Sequence, residues 1–244
     1  MTNQDIVVRR LTALAPLDDA SIEALSAATD TRGLRSGEEI VDEHEALRPR
    51  FLVSGWAARV RWLADGRRQI LGFLLPGEGI GLCARPQPLA LSPLTAVTPV
   101  ELRDASMAAQ MAFGRDTGGA LATALHISAA LDEAALLDQI VRLGRQNAIE
   151  RLAHLFLELR FRLDLVGLVE SDAFALPLTQ DQLADATGLS AVHVNRSLQQ
   201  LRRDELIELK GGRLRLLRRG MLETIADYRR PEVTRWAPKS RPSE

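Results

Sequence analysis

The residues best suited to chemistry in this 244-residue chain lie between positions 179 and 216, and the chemistry they suit is hydrogen bonding to base edges and phosphates. Ala191, Val192, His193, Asn195, Arg196 and Gln199 share one side of a stretch in which Val194, Leu198 and Leu201 recur at i, i+4 and i+7. A helix start that offers small, polar and basic groups to solvent has the geometry to reach into a major groove. Thr179, Gln180 and Ser190 at the neighbouring helix starts, with Lys210 and Arg213 beside a glycine turn, complete the candidate DNA-contact set.

Such side chains need elements to hold them. Thr179 followed three residues later by Gln182 has capping-box spacing, so a helix is expected to start there, with Leu183, Ala184 and Thr187 facing inward. Gly188 stands where a left-handed residue lets the chain turn, and Ser190 can cap a second helix. Ile207 and Leu209 alternate with Glu208 and Lys210, and after Gly211-Gly212 Arg213 and Arg215 alternate with Leu214 and Leu216. That pattern is a β-hairpin with its basic side chains outward. Helix, turn, helix and hairpin in that order predict a winged DNA-binding unit.

Catalytic chemistry has little to work with. His44, His126, His154 and His193 are the four histidines, none at HExxH or paired metal-ligand spacing, and no GxSxG occurs. An enzyme is therefore not expected. His154 on an apolar stretch reads as a core or interface residue, while His126 leaves a haem or metal ligand open. Cys83 alone rules out a disulfide within the chain and points to a reducing cytoplasm. The amino terminus lacks the apolar run of a signal peptide, and no segment is expected to reach the roughly 20 apolar residues of a membrane span. A net charge of −1 conceals a local basic run: Arg202, Arg203, Lys210, Arg213, Arg215, Arg218 and Arg219.

Residues 5–30 read as helical, with Asp18 or Asp19 starting a short helix through Ile22, Leu25 and Ala28. From 31 to about 103, glycines punctuate short apolar runs in the manner of a barrel or sandwich. The clearest hairpin joins Ala58–Trp62 to Arg68–Phe73 across Asp65-Gly66, and a last strand pair is expected through residues 94–97 and 100–102. Residues 76–82, PGEGIGL, form a barrel corner or a phosphate cradle, the corner being favoured for want of a P-loop lysine. Gly77, Glu78, Gly79, Gly81 and Leu82 are the candidate effector pocket. Pro86, Pro88 and Pro93 predict an irregular loop over 84–93.

A long helix is expected from about 105 to 145. Its leucines cover more than one face, so it would be buried on two sides, against its own domain and against a second copy. Leu121, Leu125, Leu136 and Ile140 are the candidate dimer contacts. The expected domains are thus 1–145, 146–230 with a polar linker over 167–174, and a tail at 231–244 in which Trp236 could dock.

This order of parts resembles the Crp/Fnr superfamily of bacterial transcription regulators. The resemblance covers about residues 15–220 and rests on LVSGWAARVRWLADGRRQILGFLLPGEGIGL and LTQDQLADATGLSAVHVNRSLQQLRRDELIEL. It implies an α+β fold with an N-terminal double-stranded β-helix (jelly-roll) sensor, a dimerisation helix and a C-terminal winged helix-turn-helix. It also implies a homodimer on a near-palindromic operator, with RNA polymerase as a partner. Ser190 and His193 match phosphate-contacting positions; Ala191, Val192 and Arg196 fall where the family reads bases, Arg196 being the candidate guanine contact. Val192 departs from the glutamate of better-known members. The Arg-Ser pair and glutamate that hold cyclic AMP are missing, Leu82 and Cys83 following Gly81, and one cysteine cannot ligate an iron–sulfur cluster. No cofactor is predicted on these grounds, and haem stays open. The alternative is a ligand- or haem-binding sensor whose DNA binding is weak or vestigial.

Overall fold

The computed structural model describes residues 5–27, 30–85, 87–114 and 119–232. Ala28, Pro86 and the tail from 233, Trp236 included, lie outside the described residues. Helices α1 (Ile6–Leu14) and α2 (Asp19–Ser26) begin where an aspartate side chain accepts backbone N–H bonds, Asp5 for α1 and Asp18 for α2.

Eight strands follow: β1 (Thr31–Leu34), β2 (Glu39–Val41), β3 (Arg50–Ser54), β4 (Ala57–Trp62), β5 (Arg68–Leu74), β6 (Gly79–Ile80), β7 (Leu94–Ala96) and β8 (Val100–Asp104). They form two antiparallel four-stranded sheets, ordered β1-β8-β3-β6 and β2-β7-β4-β5. Leu52, Leu74, Ile80, Leu94 and Leu102 fill the space between them. On the outside of the first sheet, Phe51 packs among Val7, Leu11 and Leu25 of the two N-terminal helices.

Two strand expectations need correction. Residues 94–96 and 100–104 are not a pair: β7 joins β2 and β4, whereas β8 joins β1 and β3 in the facing sheet. The chain crosses from one sheet to the other between β7 and β8, which local alternation cannot reveal. Nor is Asp65-Gly66 a two-residue turn. The β4–β5 ladder closes at Trp62 and Arg68, leaving a five-residue loop in which Gly66 takes φ +83° and Asp65 does not take positive φ.

The long-helix expectation is also shortened. Helix α3 (Ser106–Phe113) is separate from α4 (Ala120–Arg145). Contrary to expectation, α4 is long and apolar enough to cross a membrane by length and composition, with a mean hydropathy of 1.4 over an 18-residue window. Its sequence is apolar because one side packs on α1 and α3 and another presents Leu136, Leu137, Ile140 and Val141. Buried Gln139 and Arg142 lie on the same helix, bonded to protein groups.

Helix α4 ends at Arg145, and Asn147 starts α5 (Ala148–Asp164) with a capping box. Then come β9 (Ala173–Ala175), α6 (Gln180–Thr187), α7 (Ala191–Arg203), β10 (Ile207–Lys210), β11 (Arg213–Leu216) and α8 (Arg219–Ile225). The stretch expected as a polar linker therefore includes a strand: β9 pairs with β11, Phe174 opposite Leu214, and both side chains are wholly buried. One apolar core runs from the roll residues Trp56, Val60, Ile70 and Phe73 into Leu152, Phe156, Leu183 and Leu198, so the DNA-binding-type module is packed on its own roll.

Candidate nucleic-acid interface and sensor cavity

The helix-turn-helix is built by local signals. The side chain of Thr179 accepts from the Gln182 N–H, and the Gln182 side chain accepts from the Thr179 N–H. Gly188 ends α6 at φ 64°, ψ 33°, in a turn closed by the Leu189 N–H bonding to Ala184 O. A side chain there would strain the left-handed backbone and meet Leu143 at 3.0 Å. Ser190 then caps α7 by accepting from the His193 N–H, and its hydroxyl lies 3.0 Å from His193 Nδ1.

Helix α7 buries Val194, Ser197, Leu198 and Leu201. Its opposite side exposes Val192, at 68%, with His193, Arg196 and Gln199. Asn195 donates to Gln180 Oε1 at 3.1 Å and accepts from Gln199 Nε2 at 2.9 Å. Three candidate base- or phosphate-contacting amides are thus held in one chain across the two helices. Arg196 is exposed with no hydrogen bond or ion pair among the described residues.

The hairpin register is Ile207 with Leu216 and Lys210 with Arg213, and Gly211 and Gly212 both take positive φ, as a type I′ turn requires. Lys210, Arg213 and Arg215 point outward and form no ion pair among the described residues. Arg218 and Arg219 differ: each bonds to a carboxylate, Arg218 to Glu205 and Arg219 to Asp172 and Glu223. The basic run therefore narrows to the hairpin and the recognition face.

Residues 150–225, from α5 to α8, match the family model described as a Crp-like helix-turn-helix domain. The nitrogen fixation regulation protein FixK of Bradyrhizobium diazoefficiens is 29% identical over 227 residues, 91% of this chain and 92% of its own. The transcriptional activator protein FnrL of Cereibacter sphaeroides is 29% identical over 217 residues, 86% and 85% of the two chains. Among solved structures, FixK2 from Bradyrhizobium japonicum superposes with a TM-score of 0.67 at 28% identity, covering 80% of this chain and 96% of that one. Along most of its length this chain is similar to regulators of the Crp/Fnr family, and its residues 150–225 are a Crp-like helix-turn-helix domain. It is a DNA-binding transcription regulator of the α+β architecture that the family shares.

The four leucine and isoleucine positions expected at a dimer interface divide into two kinds. Leu121 and Leu125 are 1% and 4% exposed within a single protomer, packed with Val7, Leu11 and Ala108, so they have no surface to offer a second copy. Leu136 and Ile140 are exposed, Ile140 at 68%, together with Leu137 and Val141. Sequence periodicity showed two apolar faces and could not say which one the protomer itself covers.

The glycine-rich corner also divides. Gly79, Gly81 and Leu82 line a cavity of about 550 Å³ between the roll, α4 and the start of the DNA-binding module. Gly77 does not. The position of its missing side chain lies 2.9 Å from Val166 and 3.2 Å from Arg10, so its backbone is sealed against α1 and the end of α5. Glu78 reaches the cavity wall but is only 1% exposed, and its carboxylate is already engaged by two arginines. As a free ligand contact, Gly77 and Glu78 must be withdrawn.

Glu78 belongs to a buried ion network that the local reading missed. Arg10 of α1 lies 3.3 Å from Glu78; Arg162 of α5 bonds Glu78, Glu158 and Phe73 O; Arg142 of α4 bonds Glu158, Gln139 and His154. Burial opposes the charges of Glu78 and Glu158, but the arginines beside them hold both carboxyls below the usual range. Asp132 faces the same cavity without an ion pair among the described residues; burial and the charge of Glu78 push it up to about 6. Burial, then the charge of Arg142, lowers His154 to about 4. His154 is thus a neutral core residue, its ring edge-on to Tyr228. His126 is exposed against the Phe113 ring, and no group of three potential metal ligands occurs among the described residues. One signal was available: His154, Glu158 and Arg162 recur at i, i+4 and i+8 on an otherwise apolar helix.

A second set of bonds ties α6 to the roll. Arg68 on β5 donates to Asp185 from Nε at 2.8 Å, Gln69 donates to Asp185 O at 2.6 Å, and Gln139 of α4 donates to Ala186 O at 2.7 Å. The solvent-facing side of α7 is left out of these bonds while the back of the helix-turn-helix is held.

Proposed function

We propose that this regulator acts as a homodimer whose paired α7 helices read successive major grooves of a near-palindromic operator, in the cytoplasm, positioning or occluding RNA polymerase. The observation that carries the reading is the α7 surface: Val192 and Arg196 stand free on a helix whose other side is locked into the core. Ala191, Val192 and Arg196 contact bases, and Arg196 donates both prongs to guanine. Thr179, Gln180, Ser190, His193, Asn195 and Gln199 hold the phosphates and the register, while Lys210 and Arg213 lie along the backbone. Val192 packs on a thymine methyl where relatives with a glutamate accept from cytosine.

The exposed stripe Leu136, Leu137, Ile140 and Val141 supplies the dimer contact, setting half-sites about 34–36 Å apart. Domain 1–145 receives the signal and 146–230 delivers it. The 550 Å³ cavity touches both, which supports it as the effector site, Gly79, Gly81 and Leu82 being part of its wall. The test is a mobility shift with the purified protein on promoter fragments at rising salt. Specific complexes whose affinity falls linearly in log–log salt support the reading; fragments bound without preference contradict it.

A further inference from the structure

The β-roll carries a second cavity, of about 460 Å³, lined by Arg32, Arg48, Arg50 and Glu45 against Val41 and Leu102. Leu47 and Ile80 contribute to its wall and to that of the larger cavity. Sheet register places two of its arginines on an unusual face. Arg32 pairs with Leu102, and Arg50 pairs with Ile80 and stands two residues before Leu52. Paired residues point to the same side of a sheet, and residues two apart do likewise. Leu52, Ile80 and Leu102 are core residues between the two sheets, so Arg32 and Arg50 lie on the inner side of their sheet, Arg32 exposed at its edge and Arg50 half-buried.

An inward charge on an edge strand can serve to block strand addition, which would account for Arg32 on β1. It cannot account for Arg50, because β3 lies between β8 and β6. Arg50 is only loosely paired by the protein. Its Nη1 is buried without a hydrogen-bond partner, and the nearest carboxylate, Asp30, is 4.0 Å away on a side chain 76% exposed. Arg32 and Arg48 form no ion pair among the described residues. Glu45, the carboxylate in the wall, already accepts the Asp42 N–H at 3.0 Å. Three guanidinium groups against one carboxylate in the wall, with Asp30 reaching Arg50 only at 4.0 Å, leave a cavity of net positive charge suited to an oxyanion.

We propose that this cavity binds a small multiply charged oxyanion, a molecule bearing a phosphoryl group or paired carboxylates, with Arg50 and Arg32 gripping it from the inner sheet face and Arg48 closing the mouth. Guanidinium forks match both oxyanion geometries. The assignment is independent of how the protein reads DNA.

The experiment is calorimetric titration of the full-length protein with inorganic pyrophosphate and, separately, citrate, at matched ionic strength. The two arms distinguish phosphoryl from carboxylate preference. One saturable site per chain is expected for at least one probe, weakened tenfold or more by R50Q, by R32Q and by R48Q. Arg48 is exposed in a connection, so R48Q keeps the fold and guards against a misfolded R50Q. K210A/R213A controls for anions captured by the basic hairpin and should leave the affinity unchanged. Absence of saturable binding by both probes at millimolar concentration overturns the proposal, as does binding that survives R50Q and R48Q or disappears in K210A/R213A.

Discussion

Arg162 and Glu78 stand 84 residues apart in sequence and meet as a two-pronged ion pair in the interior, Nε to Oε1 at 3.0 Å and Nη2 to Oε2 at 2.7 Å. One residue belongs to the first helix of the DNA-binding module and the other to the roll's glycine-rich corner. The pair is the most direct polar link between signal domain and output domain.

Removing Arg162 leaves buried Glu78 with Arg10 alone and takes one of two arginines from Glu158. R162M should therefore destabilise the protein by about 3–5 kcal/mol in urea denaturation. The double variant E78Q/R162M should lose much less than the sum of the single changes. Additive losses would show that the two groups do not depend on each other.

Two groups near the network should oppose each other in pH dependence. Asp132 is raised from 3.8 to about 6, so the folded state holds its proton more tightly than the unfolded chain. Its stabilising contribution is complete below 3.8 and is lost as pH rises through 6. His154 is lowered from 6.5 to about 4; its contribution is complete above 6.5 and is lost as pH falls toward 4. In denaturation series from pH 5 to 7, D132N should be more stable than wild type at pH 7 and show a steeper rise with pH. H154Q should show a decline with pH instead. Parallel curves for both variants would contradict these assignments.

The two kinds of α4 leucine and isoleucine positions give a clean contrast. I140E should sediment as a monomer with its protomer fold intact. L125A should remain dimeric while losing about 2–5 kcal/mol of stability, because it opens a cavity in the protomer core. A monomeric L125A, or a dimeric I140E, would move the interface elsewhere.

On DNA, V192E should change preference at the base pair facing it, from thymine toward cytosine, measured by competition between single-base operator variants. R213A should instead weaken all sequences alike and reduce the salt slope by about one. A uniform effect of V192E would remove Val192 from the base-reading set.

The helix-turn-helix was legible because its signals are local. Thr179 with Gln182, Gly188 and Ser190 each satisfy a backbone requirement within three or four residues, and the structure uses all of them. The roll was legible as β-structure but not as topology, since β7 and β8 are neighbours in sequence and strangers in pairing. Least legible was what joins the domains. Arg10, Glu78, Arg142, Glu158 and Arg162 come from four separate segments, and only folding tells which arginines are solvated and which are buried with a carboxylate. The inward direction of Arg50 was hidden for the same reason, because it depends on register with Ile80.

Selection of bound fragments from genomic DNA by wild type and R196A, followed by sequencing, tests the central claim that α7 forms half of a two-fold reader. Wild type should enrich a near-palindromic motif with half-site centres about 10 base pairs apart, and R196A should lose preference at one symmetric pair of positions, at a cost of about 1–3 kcal/mol each. A motif without two-fold symmetry, or one that R196A enriches unchanged, would contradict it.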